Sequence, residues 1–109
     1  MALGDELNRL DWEILDALSD DYESIEQLHS LITTLGNSFS CTPHEILDRL
    51  QWLHEYNYVF LTLNKTFDRA KLLDEIEGRT DCRPYWFGRT ENGYKAWENL
   101  TPRYETNEA

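Results

Sequence analysis

Cys41 and His44 stand three positions apart, a spacing that supplies half of a zinc-binding pattern. A structural zinc ion needs four converging donors, usually two close pairs, and the remaining candidates Cys82, His29 and His54 are isolated along the chain. No metal site is therefore expected, and two separate thiols are expected to stay reduced. General acid and base catalysis needs titratable groups whose environments drive their pKa values apart in a cleft. The 21 Asp and Glu residues instead alternate along exposed helical faces. His54 falls near the core edge of its helix and His29 on the outer side of the second, places where a lone histidine is normally a packed or surface residue. Ser38 and Ser40 lie in no nucleophile motif, and the chain contains neither a Gly-rich phosphate loop nor a nucleophile elbow. The polar inventory predicts no enzyme, no cofactor and no metal.

What remains with chemical meaning is charge and aromaticity. The 109 residues carry a formal charge of −11, with 40% apolar and 13% aromatic residues, so a packed core is affordable despite the charge. Residues 1–57 hold twelve acids against two basic residues, Arg9 and Arg49, whereas residues 58–109 hold nine acids against eight bases. The negative charge is concentrated in the first half. No basic stretch leads an apolar signal core, and no apolar run approaches the roughly 18 residues that cross a bilayer, which predicts a cytoplasmic protein that does not enter membranes.

The elements that must position these groups are well punctuated. Leu7, Leu10, Ile14, Leu15 and Leu18 recur at helical spacing from a start near Asn8 or Asp11. Ser24 with Gln27 forms a capping box for a second helix carrying Ile25, Leu28, Leu31, Ile32 and Leu35, closed by Gly36-Asn37. Thr42, Pro43 and Glu45 give the clearest start in the chain: a cap, a proline at the first helical position, and a carboxylate that reaches back to the cap amide. That third helix turns Ile46, Leu47, Leu50 and Leu53 to one side and His44, Glu45, Asp48, Gln51, Trp52 and Glu55 to the other, with Asn57 as its exit. Residues 58–63 favour a strand, and Tyr85-Trp86-Phe87 supplies a partner. The intervening insert, about residues 64–84, is too long for a bare hairpin tip, and a short helix capped by Asp68 and stopped by Gly78 is expected within it. A last helix starts at the Thr90 cap and stops at Thr101-Pro102, so that residues 1–102 form one domain and residues 103–109 a flexible tail.

Two motifs carry a family resemblance. Thr42-Pro43-His44-Glu45-Ile46-Leu47-Asp48-Arg49-Leu50-Gln51-Trp52-Leu53 stands where winged helix-turn-helix regulators of the MarR-like and PadR-like families place a recognition helix, and Phe87-Gly88-Arg89-Thr90-Glu91-Asn92-Gly93 resembles their strand-to-helix turn. The resemblance covers residues 8–100. It implies an α+β, mainly α fold: a three-helix core, a two-stranded wing with an ordered insert, and a C-terminal helix. The departures are the long wing and the wide gap from Gly36 to Thr42.

A winged helix of this type implies a dimeric DNA-binding regulator, but the charge argues otherwise. On the third helix Arg49 opposes Glu45, Asp48 and Glu55. Affinity for duplex DNA comes largely from Lys and Arg that release counterions, and base readout favours Arg, Asn or Gln, of which only Arg49 and Gln51 are present. The expectation is a non-enzymatic module that binds protein, either a basic partner or a second copy, through Trp52, Tyr56, Arg49, Asp48 and Glu45. DNA mimicry by the same acids is a weaker alternative. Trp52 could instead pack on the insert at Phe67 or Leu72. In the resembled families terminal helices often make the dimer, which marks Leu3, Leu7, Trp12, Trp97 and Leu100 as either a homodimer seam or ordinary core. If DNA does bind, Lys65, Arg79, Arg83 and Arg89 of the wing are the phosphate-contact candidates. The competing reading pairs the wing charges locally, Arg69 with Asp68 and Lys71 with Glu75.

Overall fold

Side-chain caps define where the helices begin. In the computed structural model, which describes residues 7–19, 21–34, 39–79 and 85–104, Asn8 accepts a hydrogen bond from the Asp11 amide while Asp11 accepts from the Asn8 amide. This reciprocal box opens α1 (Arg9–Ala17). Ser24 and Gln27 form the same device for α2 (Ile25–Thr34). Thr42, Pro43 and Glu45 open α3 (Pro43–Glu55) as their sequence requires. Asn57 turns out of α3 at φ 66°. Gly36-Asn37, the expected stop of the second helix, lies outside the described residues.

Beyond α3 the strand is shorter than its composition implies. β1 (Val59–Leu61) gives way to a 3₁₀ turn at Thr62–Asn64, in which the exposed Leu63 adopts φ 62°. β2 (Phe87–Arg89) begins two residues after the expected Tyr85 and runs antiparallel to β1, with Val59 opposite Arg89 and Leu61 opposite Phe87. Phe87, which is fully buried, fixes this register because a slip by one residue would turn it to solvent. Glu23, just before α2, bridges to Phe87 from the other edge through bonds of 3.1 and 2.8 Å. The described architecture is therefore α+β, mainly helical, around a two-stranded antiparallel sheet.

The insert contains α4 (Arg69–Ile76), capped by Asp68 and left through Gly78 at φ 72°. Helix α5 (Glu91–Tyr104) runs through Pro102 and does not stop there. Proline removes one helical donor, but the last turn is held from outside the helix. Trp12 Nε1 donates to Thr101 Oγ1 at 3.0 Å, and the Trp12 and Tyr104 rings lie 6.4 Å apart. The helix enters close to β1, with the Thr90 amide donating to the Tyr58 carbonyl at 3.1 Å. At Gly93 a Cβ would lie 2.1 Å from that carbonyl oxygen, so glycine is required for the approach.

The core sits where α1, α2, α3 and the sheet meet. Ile14, Leu15, Leu28, Ile46, Leu47, Leu50 and Leu53 are each fully buried there, and side chains of this kind contribute about 1.5–3 kcal/mol apiece. Leu72 of α4 is also fully buried, which makes the insert part of the packed body. No helix among the described residues is long and apolar enough to cross a membrane.

Candidate functional site

Helix α3 meets a different neighbour on each flank. Toward α1, Arg49 donates from Nε to Asp11 Oδ1 at 2.7 Å and from Nη2 to Asp11 Oδ2 at 2.8 Å, and Asp11 is fully buried. The Arg49 guanidinium also lies 4.9 Å from the Trp52 ring centroid. Arg49, expected to meet a partner, is thus bonded across to α1 while its side chain stays 25% exposed.

The opposite flank is taken by α4. Arg69 donates to Asp48 at 2.6 Å and to Gln51 at 2.8 Å, while His44 and Glu77 approach to 3.3 Å. Phe67, which leads into α4, lies 5.3 Å from the His54 ring and 6.2 Å from Phe87. The Glu77 carboxyl is held below its usual range, first by the hydrogen bond from His44 and then by Arg79. The insert is therefore fastened along the polar flank of α3. Arg69 reaches across to Asp48 and not to its sequence neighbour Asp68, whose side chain caps Lys71 instead. Among the described residues Lys71 makes no ion pair with Glu75. One Glu75 oxygen accepts from the Tyr85 amide and the other is buried with no partner. Burial is the main cause that raises the Glu75 carboxyl above its ordinary range, aided by Glu26 and opposed by the Tyr85 amide and Lys65.

What α3 leaves outward is a stripe of Glu45, Asp48, Trp52, Glu55 and Tyr56. Trp52 is half-buried. Its ring neighbours are Tyr56 at 4.4 Å and Tyr58 at 6.1 Å, the latter stacked. Tyr56 is 43% exposed. The structure thus brings Glu45, Asp48, Trp52 and Tyr56 onto one surface, with Arg49 at its edge, bonded to Asp11 and stacked near Trp52.

The terminal-helix residues fall differently. Leu7, Trp12 and Leu100 are buried within a single chain, where α1 packs on α5. Trp97 donates from Nε1 to Asp16 at 2.9 Å. These contacts all lie within one chain. Of the wing cations, Lys65 lies 4.7 Å from the Tyr85 ring centroid, and Arg79 pairs with Asp74 and Glu77. Arg89 is flanked by the rings of Tyr94 and Trp97 at 5.2 and 5.0 Å and donates to the Leu15 carbonyl at 3.2 Å. Arg83, Cys82 and Leu3 lie outside the described residues.

Cys41 and His44 form no ligand set, and no group of three metal-binding side chains occurs among the described residues. The Cys41 thiol is pushed up by burial and then by Glu45 and Glu13, which leaves it protonated at neutral pH. His29 Nε2 donates to the Cys41 carbonyl at 3.0 Å and does not touch the thiol.

Two features escaped the sequence reading. Arg69 as the clamp on α3 has no local signal, because its partners are 18 and 21 residues away. A groove of about 370 Å³ also opens beside Tyr56, between the start of β1 and the outer side of α5, with Asn92 and Asn99 on its rim. Their seven-residue spacing, two turns of one helical face, was the available clue. Comparison with protein-family models, with curated proteins and with solved structures returned no match.

Proposed function

We propose that this chain is a non-enzymatic winged-helix module of the cytoplasm that acts in regulation by binding a basic protein partner through the outward stripe of α3. The helix order, the antiparallel hairpin and the Glu23 bridge suit a winged helix, with α3 in the position of the recognition helix. One observation carries the functional reading: α4 is clamped along α3 by Arg69 at Asp48 and Gln51. Gln51, one of the two side chains on α3 suited to base readout, is already bonded, and Arg49, the other, is held by buried Asp11. What faces outward is Glu45, Asp48 and Glu55 around the Trp52–Tyr56 pair. Aromatic side chains supply binding energy at protein interfaces, and carboxylates in such numbers select a cationic partner. The same carboxylates repel a duplex carrying one negative charge per roughly 1.7 Å.

The test is retention of a random 20-base-pair duplex at low ionic strength, followed by a salt titration. The expected outcome is no retention. Tight binding whose logarithm falls with log salt at a slope of about −3 or steeper, the signature of three or more neutralised phosphates, would overturn the proposal in favour of a DNA-binding regulator.

A further inference from the structure

We infer that the groove between the exit of α3 and the outer side of α5 binds an extended, basic stretch of polypeptide with one apolar anchor. The inference rests on the protein-binding reading above and specifies its ligand. The floor is apolar: Leu7, Tyr58, Ala96 and Leu100 line it, each no more than 9% exposed. Its volume of about 370 Å³ lies near the lower end of ligand clefts and suits one inserted side chain with a stretch of main chain. Tyr56 forms one wall and links the groove to Trp52, 4.4 Å away, so the apolar floor and the acidic stripe of α3 are continuous.

The opposite rim carries Asn92 and Asn99. Both are exposed, and neither side-chain amide has a hydrogen-bond partner among the described residues. Seven helical residues separate them by about 10.5 Å along the axis. A polyproline II chain repeats its orientation every three residues, a distance of about 9.3 Å, and leaves its own N–H and C=O groups unpaired. A carboxamide presents both donor and acceptor, the complement of a peptide unit. Two at this separation match successive turns of such a chain, and rotation about the Asn side-chain bonds takes up the difference.

Charge sets the composition of the occupant. Lys95, the cation lining the groove, lies 3.9 Å from Glu91. Glu55 precedes Tyr56, and Glu45 continues the acidic stripe together with Asp48, which Arg69 already pairs. Lys or Arg flanking the anchor would meet these carboxylates and the faces of Tyr56 and Trp52. A second copy of this chain, also at −11, is a poor electrostatic match.

The probe is an immobilised array of nonapeptides with Lys or Arg at alternate positions and each apolar residue in turn at the centre. A matched array carries Glu in place of the bases, and a third carries Ser at the centre. Retention on the basic array, weakened about tenfold by central Ser, is expected, as for loss of a buried apolar side chain. Asn92→Ala and Asn99→Ala should each weaken binding about fivefold, the effect of one lost hydrogen bond, with far-UV circular dichroism unchanged. Equal binding by the Asn92→Ala/Asn99→Ala variant, indifference to the central residue, or no retention at all overturns the groove. Were Glu45→Gln/Glu55→Gln to abolish binding that the Asn pair leaves untouched, the groove would fall while the α3 reading survived. Preference for the acidic array would sink both.

Discussion

Arg49→Met should destabilise the fold by about 3 kcal/mol, because it strands a carboxylate that has no access to water. Asp11 is fully buried, and Arg49 grips both of its oxygens at 2.7 and 2.8 Å. One of those oxygens also accepts from the Asn8 amide at 2.8 Å, so the same carboxylate caps α1. Removing one partner of a buried pair costs about 3–5 kcal/mol. The Arg49 side chain is 25% exposed, which places this site at the lower end of that range because water can reach part of it. With a urea dependence of about 1.5 kcal/mol per molar, the unfolding midpoint falls by about 2 M. The thermal midpoint falls by about 12 °C or more, at about 4–8 °C per kcal/mol for a domain of this size. Urea titrations followed by far-UV circular dichroism measure the change without relying on Trp52, which lies against Arg49 and would report local effects. The control is Asp11→Asn/Arg49→Met: the neutral amide still accepts from Asn8 but leaves no buried charge, so the double variant should be more stable than Arg49→Met alone. A loss below about 1 kcal/mol, as for an exposed ion pair, would refute the reasoning. So would a double variant no better than the single one, and Arg49 would then be available to a partner.

Two further substitutions test the packing of the insert and of the last helix. Glu75→Gln should raise stability at neutral pH and flatten its pH dependence. Burial lifts the folded carboxyl above its ordinary 4.5, so the folded state binds more protons than the unfolded one, and stability falls as pH rises from that value through the folded pKa. Equal urea midpoints for parent and variant at acid and neutral pH would count against this. Gly93→Ala should cost about 3 kcal/mol, as overpacking against unyielding backbone does, because the new Cβ meets the Tyr58 carbonyl oxygen at 2.1 Å. A thermal midpoint within about 2 °C of the parent, under about 0.5 kcal/mol, would show that α5 can shift without penalty.

The capping chemistry of the helices was legible from local sequence, since a cap and its partner lie within three residues. Thr42 with Glu45, Ser24 with Gln27, and Asp68 ahead of α4 all act as their spacing requires. Gly78 and Asn57 leave their helices with positive φ for the same local reason. The misplacements arise where distant contacts outweigh local preference. Residues 58–63 have strand composition throughout, yet ladder pairing ends at Leu61, and the next residues turn into a 3₁₀ step. Pro102 normally marks a helix end, but Trp12, 89 residues from its partner Thr101, holds that last turn in place. The candidate face was half legible: periodicity turned Trp52 and Tyr56 away from the core side of α3, whereas the tie of Arg49 to Asp11 spans 38 residues. Nothing in a local window could show that.

The arginines show how little of the chain's positive charge can turn toward a phosphate. A cation assists phosphate binding only if it can leave its present partners, and each described arginine has some. Arg9 bonds to Glu13, Arg49 to Asp11, Arg69 to Asp48, and Arg79 to Asp74 and Glu77. Arg89 is held against Tyr94, Trp97 and the Leu15 carbonyl, and Arg103 lies over Tyr104. The cost of release differs among them. The exposed Arg69–Asp48 and Arg79–Asp74 pairs are screened by water and easily released, whereas Arg49 could leave only by stranding Asp11. A duplex could therefore recruit Arg69 and Arg79 cheaply, but doing so would strip Asp48 of its counter-charge beside the same phosphates. Each cation gained for DNA on this flank uncovers a carboxylate within the Debye length of about 8 Å. A basic polypeptide faces the opposite balance, since every carboxylate so uncovered becomes one more contact for it.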